Sequence, residues 1–371
     1  MGKLGFGLMR LPVIDGDQGR VDLEKMKKLV DAFLAAGGSY FDTAYPYHRG
    51  KSEEAFRETV VKRYPRERFT ITDKMPMFSV QRAEQLEEIF AEQLERCGVD
   101  YFDYYWLHAL GSINYQTAER TDAFAFLVQK KAEGRIRHIG FSFHDSPELL
   151  DRILTEHPEA EYVQLQINYL DWEDPTIRAR ECYEVAVRHG KPVIVMEPVK
   201  GGALASLPEA AETLLKQAEP KRSIASWGVR FAASKEQVMM VLSGMSDLQQ
   251  VEDNLSYMGE NFRPLTEEEN ALLAQAAQMI RESIAVPCTA CRYCVDGCPK
   301  AIPIPDYFAI YNNLKRFQKI QAAVANAYYT NTARGRGLAS DCIECGACER
   351  SCPQHLPIRA HLKEVAAALE R

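Results

Sequence analysis

The sequence predicts an α/β protein, a (β/α)8 TIM barrel followed by a smaller, mainly α-helical ferredoxin-like domain. Short apolar runs alternate with helical patterns eight times within about 260 residues, which is the number and length of such a barrel. After the eighth unit, two similar runs hold eight of the ten cysteines. We therefore divide the chain into a barrel (1–262), a helical connector (263–284) and a cysteine-rich domain (285–371).

Each predicted strand is a short run of β-branched or aromatic residues that ends in a polar or small residue. Successive runs lie roughly 30 residues apart, as strand–helix–strand units require. In a parallel barrel the carboxyl ends of all strands lie on one face, so the residues there share one pocket. In chain order the runs are 4–9, 40–42, 69–74, 102–108, 136–142, 162–166, 193–197 and 238–243.

Helical patterns, with apolar residues three and four positions apart, fill the gaps between these runs. Glycines follow several of them, where a left-handed C-cap is expected. The predicted barrel helices are 21–36, 52–63, 79–97, 117–133, 147–156, 175–189, 221–233 and 247–260, with an extra segment at 207–218 and a connector helix at 266–283.

Composition limits the classes of function. The chain is 46% hydrophobic and 26% charged, with a net charge of −7, and it contains no run of 18 apolar residues. We expect a cytoplasmic protein that does not enter a membrane. No basic stripe indicates a nucleic-acid partner.

Three consecutive strand ends carry polar side chains of complementary chemistry: Asp42, Lys74 and His108. Tyr47 follows Asp42 by five residues. Taken singly, each is more often structural, as a helix cap, a solvated lysine or a satisfied histidine. Convergence on one pocket favours a catalytic group instead.

Those groups suit proton donation to a carbonyl oxygen. A tyrosine with a pKa near 10 is a weak acid, and we expect a neighbouring ammonium to lower that pKa by stabilising the phenolate. Asp42 would hold Lys74 charged and in place. Tyr47 would then protonate the developing alkoxide while His108 donates or orients a hydrogen bond to the same oxygen.

The cysteine runs each have the spacing Cys-x2-Cys-x2-Cys-x3-Cys-Pro, and 43 residues separate them. Disulfides fit poorly in a cytosolic chain, and zinc favours cysteine pairs at longer separation, whereas this spacing is that of bacterial [4Fe–4S] ferredoxins. There, the fourth cysteine of each run ligates the other cluster. The predicted ligand sets are Cys288, Cys291, Cys294 and Cys352 for one cluster, and Cys342, Cys345, Cys348 and Cys298 for the other.

The intervening segment includes a helical pattern from Asp306 to Tyr329, longer than the loops of a small β-type ferredoxin. It resembles the α-helical ferredoxin arrangement in the iron–sulfur subunits of fumarate reductases.

Five short motifs within residues 4–260 carry a family resemblance: Phe41-Asp-Thr-Ala-Tyr-Pro-Tyr47, Ser52-Glu53, Lys74, Leu107-His108 and Gly140-Phe-Ser142. With these motifs the region resembles the aldo/keto reductases. It implies a barrel that binds NAD(P)H without a Rossmann domain, and a catalytic tetrad of Asp42, Tyr47, Lys74 and His108. With its cysteine runs, the chain is similar to the iron–sulfur-containing bacterial and archaeal branch of that family.

The same resemblance implies cofactor contacts. Ser142 and Gln166 match positions that bind the nicotinamide carboxamide, although Phe143 replaces the usual Asn. Met196 stands where an aromatic residue often stacks on the nicotinamide. The phosphate-binding positions after strands seven and eight are Gly201, Gly202, Gly244, Gln250 and Asn254. Because no basic residue appears from 244 to 250, NAD(H) is favoured over NADP(H).

The leading hypothesis is thus an oxidoreductase acting on a small carbonyl or alcohol, with two [4Fe–4S] clusters for electron transfer. Nicotinamide transfers two electrons and a cluster one, and no flavin site is recognisable. A second hypothesis is therefore a ferredoxin-linked subunit with a ferredoxin or flavoprotein partner. A third is a nicotinamide and redox sensor, against which the intact tetrad argues.

Overall fold

The computed structural model defines two compact units. The first contains most of residues 1–267, and the second joins Val199–Ala225 to the chain from Glu268 onward. Among the described helices, none combines the length and the apolar composition that a membrane span requires. The described residues are 2–174, 177–259, 262–316 and 322–370.

The first unit contains a closed barrel of eight parallel strands in chain order, as predicted. The last strand closes on the first, with Gly7 opposite Gly244. Most strand residues are buried because the barrel interior covers one face of the sheet and the helices cover the other. The strands are β1 Leu4–Gly7, β2 Tyr40–Asp42, β3 Thr70–Met75, β4 Phe102–Leu110, β5 Ile136–Phe143, β6 Tyr162–Gln166, β7 Val193–Met196 and β8 Val238–Gly244.

The helices between the strands follow the predicted order with shorter ends. The predicted starts at 175–176 and end at 260 lie outside the described residues. The helices up to the connector are α1 Leu23–Ala35, α2 Ser52–Phe56, α3 Glu84–Cys97, α4 Ser112–Arg120, α5 Ala123–Ala132, α6 Pro147–Glu156, α7 Ala179–Arg188, α8 Glu209–Ala218, α9 Ile224–Ala233, α10 Leu248–Met258 and α11 Glu267–Ser283.

Two predicted barrel helices differ from the structure. The single helix expected at 117–133 is two helices, α4 and α5, because Asp122 adopts a left-handed conformation with φ of 52°. The helix expected at 52–63 is α2 followed by a π-helical turn at Arg57–Val61. Periodicity locates the buried face of a helix but does not reveal a single left-handed residue that breaks it.

The second unit has its own apolar core around Tyr307, whose ring centroid lies 4.3 Å from that of Tyr329. The helical run expected from Asp306 to Tyr329 corresponds to two helices, and residues 317–321 within it lie outside the described residues. Three further helices were not predicted. Two of them have only four residues, which is too short for a helical period to show in the sequence. The helices after the connector are α12 Tyr293–Asp296, α13 Ile304–Arg316, α14 Ala322–Thr332, α15 Ala347–Arg350 and α16 Ile358–Leu369.

Candidate active site and cysteine-lined cavities

The end of β3 places an ammonium group inside the barrel. Lys74 is fully buried. Its Nζ donates to Asp42 Oδ1 at 2.6 Å and to the backbone carbonyl of Thr43 at 2.6 Å. Gln164 Nε2 approaches the other oxygen of Asp42 at 3.4 Å. A buried charge needs such partners to offset its lost hydration, so the ion pair fixes Lys74 at the carboxyl ends of β2 and β3.

Tyr47 and His108 complete the group. The Tyr47 hydroxyl is 3.5 Å from Lys74 Nζ, at the outer limit of a hydrogen bond. The rings of Tyr47 and His108 meet edge to face, with centroids 6.0 Å apart. The structure therefore brings together all four side chains of the predicted tetrad.

The pKa of Tyr47 differs in direction from the sequence-based expectation. Burial, and next the negative charge of Asp42, raise the pKa of Tyr47 well above 10. The expected lowering by Lys74 is not found, because the ammonium points at Asp42 and the Thr43 carbonyl. The phenol is therefore a fully protonated donor at neutral pH.

His108 is a neutral imidazole. Burial, and then the positive charge of Lys74, lower the pKa of His108 well below 6.5. Within the described part of the chain, its Nδ1 has no hydrogen-bond partner. The half-exposed ring of Phe78 lies against it, with centroids 5.6 Å apart. A buried polar atom without a partner is costly, so this nitrogen is suited to receive a ligand.

A second polar network holds the backbone of Lys74 from outside the barrel. The Lys74 N–H donates to Asp73 Oδ1 at 2.8 Å, and Gln93 Nε2 donates to the Lys74 carbonyl at 3.1 Å. Gln93 also donates to Glu53 Oε1 at 3.0 Å, and Arg96 lies 3.2 Å from Glu53 Oε2. Strand alternation explains the arrangement, since Asp73 faces the helices while Lys74 faces the pocket.

Glu53 and Asp73 form a buried pair of carboxyl groups. Burial raises the pKa of both, and the hydrogen bond between them raises that of Asp73 further while lowering that of Glu53. Asp73 therefore carries the shared proton. Sequence reasoning missed Asp73, Gln93 and Arg96. The signal was a second charged residue directly before Lys74 in a strand that is otherwise uncharged.

The residues predicted to hold the nicotinamide lie at consecutive strand ends. Ser142 is near the end of β5, Gln166 closes β6 and Met196 closes β7. The Ser142 hydroxyl accepts the backbone N–H of Ala109 at 2.7 Å. Gln166 Nε2 donates to Asp171 Oδ2 at 2.7 Å.

The predicted phosphate positions after β8 have protein partners of their own. Gln250 N–H donates to Asp247 Oδ1 at 2.9 Å, and Asn254 Nδ2 donates to Ser243 Oγ at 2.8 Å. Gly244 is exposed, and a methyl group built on it would lie 3.1 Å from Cβ of Arg10. Arg10 is a basic residue beside this position that no sequence motif indicated.

The glycines after β7 are placed differently. Gly201 and Gly202 both have left-handed backbones, with φ of 63° and 95°. A methyl group on Gly201 would lie 2.1 Å from the carbonyl oxygen of Thr289, whereas one on Gly202 would meet nothing within 4 Å. Close packing against the residue after Cys288 thus gives Gly201 a structural reason to be glycine, apart from phosphate binding.

Two cavities in the second unit are lined by four cysteines each. We call them the first and second cavity. Each draws three cysteines from one run and the last cysteine of the other, which is the crossed arrangement expected from the spacing. The first cavity is lined by Cys288, Cys291, Cys294 and Cys352, and the second by Cys298, Cys342, Cys345 and Cys348.

The donor set and the walls fit iron–sulfur clusters. Apolar side chains such as Ile304, which lines both cavities, complete the walls. Among the described residues, no three His, Cys, Asp or Glu side chains are placed to hold one metal ion. Burial raises the pKa of Cys288 and of Cys348 to about 11, so metal binding must displace their protons.

Comparison with known families agrees with both parts of this geometry. The model of the Aldo/keto reductase family matches residues 3–278. The chain belongs to the aldo/keto reductase family. A second model, the 4Fe-4S dicluster domain, matches residues 287–356 of this aldo/keto reductase and covers all eight cavity cysteines.

Two curated relatives are similar to about 70% of this aldo/keto reductase. An aldo-keto reductase of Mycobacterium avium is 25% identical over 256 residues, which is 69% of this chain and 83% of the relative. The oxidoreductase YqkF of Bacillus subtilis is 24% identical over 298 residues, 72% of this chain and 90% of the relative.

Solved structures show the same barrel. The aldo-keto reductase AKR11C1 from Bacillus halodurans aligns with a TM-score of 0.60 at 25% identity, covering 74% of this chain and 91% of that one. An aldo-keto reductase from Klebsiella pneumoniae in complex with NADPH aligns with a TM-score of 0.57 at 18% identity, covering 75% and 90%. The second likeness shows the fold alone.

Proposed function

We propose that this aldo/keto reductase interconverts a small carbonyl compound and its alcohol, with Tyr47 as the general acid. One observation carries the proposal: the buried Lys74–Asp42 ion pair, 2.6 Å long, has its ammonium 3.5 Å from the Tyr47 hydroxyl. A nicotinamide cofactor supplies the hydride when bound.

The four side chains of the site have separate roles in the proton transfer. Tyr47 donates its phenolic proton to the substrate oxygen, and the ammonium of Lys74 lies 3.5 Å from the hydroxyl that loses it. The neutral imidazole of His108, whose Nδ1 lacks a partner among the described residues, orients that oxygen by a hydrogen bond. Asp42 keeps the ammonium of Lys74 in place.

The test compares two tyrosines of one loop. Tyr47→Phe should lower kcat for aldehyde reduction by about 10²-fold or more, the range expected for loss of a general acid, while nicotinamide binding is unchanged. Tyr45→Phe is the matched control and should keep normal turnover, because the Tyr45 hydroxyl bonds to Glu92 instead. Near-normal turnover by Tyr47→Phe would refute the assignment.

For the cofactor we propose NAD(H) over NADP(H). The segment 244–250 contains no Lys or Arg to pair with a 2′-phosphate, and Asp247 within it is acidic. Fluorescence titration should show tighter binding of NADH than of NADPH, and Gln250→Arg should narrow the difference. Arg10→Met tests whether the basic side chain beside Gly244 takes part. Tighter binding of NADPH by the wild type would contradict the preference.

We also propose that each cavity holds one [4Fe–4S] cluster through its four cysteines. Because free cysteines are typical of reducing compartments, we propose the cytoplasm as the location of the chain. The clusters pass single electrons when bound. Cys345 of the second cavity is exposed, and the neighbouring Ile343 is 58% exposed. That exposure favours a second function, electron exchange with a ferredoxin or flavoprotein.

Anaerobic titration of the holoprotein with NADH distinguishes the two functions. If the barrel and the clusters share an electron path within the chain, cluster absorbance bleaches on addition of NADH alone. If a flavin partner is needed to split the electron pair, bleaching requires added flavin or flavoprotein. Bleaching under neither condition would mean that the clusters are not connected to nicotinamide chemistry.

A further inference from the structure

A buried lysine lies beside the first cavity. Lys200 is only 4% exposed. Its Nζ donates to Gln354 Oε1 at 2.7 Å. Gln354, itself 4% exposed, lines the first cavity and follows Cys352 by two residues. The charged Nζ of Lys200 is therefore connected to the lining of that cavity through a single side chain, that of Gln354.

The backbone around Lys200 is held in an unusual conformation. Lys200 has φ of 47°, a left-handed value that residues other than glycine seldom adopt. The next residue, Gly201, packs against the carbonyl of Thr289, where a methyl group would approach to 2.1 Å. Thr289 follows Cys288. The segment is thus fixed to both cysteine runs, through Thr289 at one and Gln354 at the other.

The two cavities differ in their buried charge. Lys200 is buried and bonded to Gln354, which lines the first cavity together with Cys288 and Cys352. Among the described residues that line the first cavity, the charged one is Arg292, which is exposed and paired with Asp306 at 3.2 Å. Among those that line the second cavity, the charged one is Lys300, which is also exposed, so water screens its charge.

We propose that Lys200 raises the reduction potential of the cluster in the first cavity and so makes it a better electron acceptor. A cluster that accepts an electron gains one negative charge. A buried cation at short range stabilises that charge, because little water lies between them to screen the attraction. This inference rests on the proposed function, in which each cavity holds a cluster.

The test is an EPR-monitored redox titration of the holoprotein under anaerobic conditions. Lys200→Gln keeps a donor for Gln354 and removes the charge. It should shift the equilibrium of the first cluster toward the oxidised form by about tenfold or more, which corresponds to a potential lower by about 59 mV for one electron. Lys200→Arg keeps the charge and should stay near the wild-type potential.

Two controls identify the affected cluster. Lys300→Gln, in the second cavity, should leave the potential of the first cluster unchanged. Cys345→Ser removes a ligand from the second cavity alone, so the signal that survives in this variant belongs to the first. If Lys200→Gln does not retain both clusters, Lys200→Met provides the same comparison with a different neutral side chain.

Two results would overturn the inference in distinguishable ways. In the first, a neutral Lys200 variant still binds two clusters, but the reduction potential of its first cluster is unchanged or raised. This result refutes the role of Lys200 and leaves the cluster assignment intact. Iron and sulfide analysis before titration detects the other case, in which wild-type protein holds no cluster, and the cluster assignment then fails together with the inference.

Discussion

Hydrogen bonds hold Lys74 at both its side chain and its backbone. Its ammonium binds Asp42 and the Thr43 carbonyl inside the barrel. Its peptide N–H and carbonyl bind Asp73 and Gln93 outside the barrel. Catalysis that depends on position gains from such double support, because an error of about 1 Å in a catalytic group can cost a large part of the rate.

The pKa directions in the site predict a flat pH profile for carbonyl reduction. The pKa of His108 is lowered well below 6.5 and the pKa of Tyr47 is raised well above 10, so neither should titrate near neutrality. We expect kcat/KM to vary by no more than about twofold between about pH 6 and pH 9, because this parameter reports the free enzyme. An apparent pKa in that window that disappears in His108→Gln would show that the imidazole is charged in the working enzyme.

The buried carboxyl pair predicts a stability effect of definite sign. The pKa of Asp73 is raised in the folded state, so its contribution to stability is present below the unfolded pKa and is lost as the pH rises toward the folded value. Asp73→Asn keeps an oxygen for the Lys74 N–H and removes the ionisation. Its unfolding free energy relative to wild type should therefore rise between about pH 5 and pH 8 in urea titrations.

Asp31→Asn is the matched control for this prediction. Arg63 lowers the pKa of Asp31, so this carboxylate contributes stability above its unfolded pKa, and removing it should cost stability throughout the same pH range. A difference between Asp73→Asn and wild type that does not change with pH would mean that the carboxyl pair holds no extra proton.

At the scale of elements, left-handed residues decide where helices and loops end. Asp122 separates α4 from α5. Residues 109–116, between the predicted strand run and the predicted helix, are the end of β4, Gly111 and the first residues of α4. The turn after β7 likewise depends on Lys200 and the two glycines that follow it. These positions shape the loops that a barrel enzyme uses for specificity.

The two glycines after β7 provide a matched pair of substitutions. Gly201→Ala and Gly202→Ala both impose a left-handed alanine, but only the first places a methyl group 2.1 Å from the Thr289 carbonyl oxygen. We expect Gly201→Ala to lower cluster content and the thermal stability of the second unit, while Gly202→Ala causes only the smaller backbone penalty. Equal effects of the two variants on iron content would contradict close packing at Thr289.

For the molecule as a whole, the crossed cysteine sets link the two runs into one folded unit. Cys298→Ser combined with Cys342→Ser removes two ligands from the second cavity and none from the first. Crossed ligation therefore predicts one surviving cluster, whereas ligation within each run predicts damage to both. Iron and sulfide analysis with EPR decides the outcome, and Cys294→Ser with Cys352→Ser is the mirror control.

Loss of clusters should loosen the second unit and leave the barrel folded. The second unit packs its own core around Tyr307, partly against the cavity cysteines, and metal binding in such small domains contributes directly to folding. Circular dichroism of apoprotein should show one early transition with the barrel transition unchanged. A single cooperative loss of all structure would mean that the units do not fold separately.

Much of the fold and of the candidate site could be predicted from the sequence. Eight runs with a regular spacing predicted the closed barrel, and Asp42, Lys74 and His108 at successive strand ends predicted a shared pocket, because parallel strands all end on one face. The two cysteine motifs predicted the grouping that the cavities show. These features are local patterns with a fixed geometric consequence.

The amino-acid sequence was enough to predict the barrel, the convergence of Asp42, Lys74 and His108, and the cysteine sets, since each follows from periodicity or spacing. Three features could be found only in the folded chain: the direction of the pKa of Tyr47, the carboxyl pair behind Lys74 and the placement of Lys200 beside Gln354. Those three depend on burial and on contacts between residues from 20 to 154 positions apart, such as Glu53 with Asp73 and Lys200 with Gln354. Desolvation and such long-range contacts arise from packing, and no local pattern in the chain encodes them.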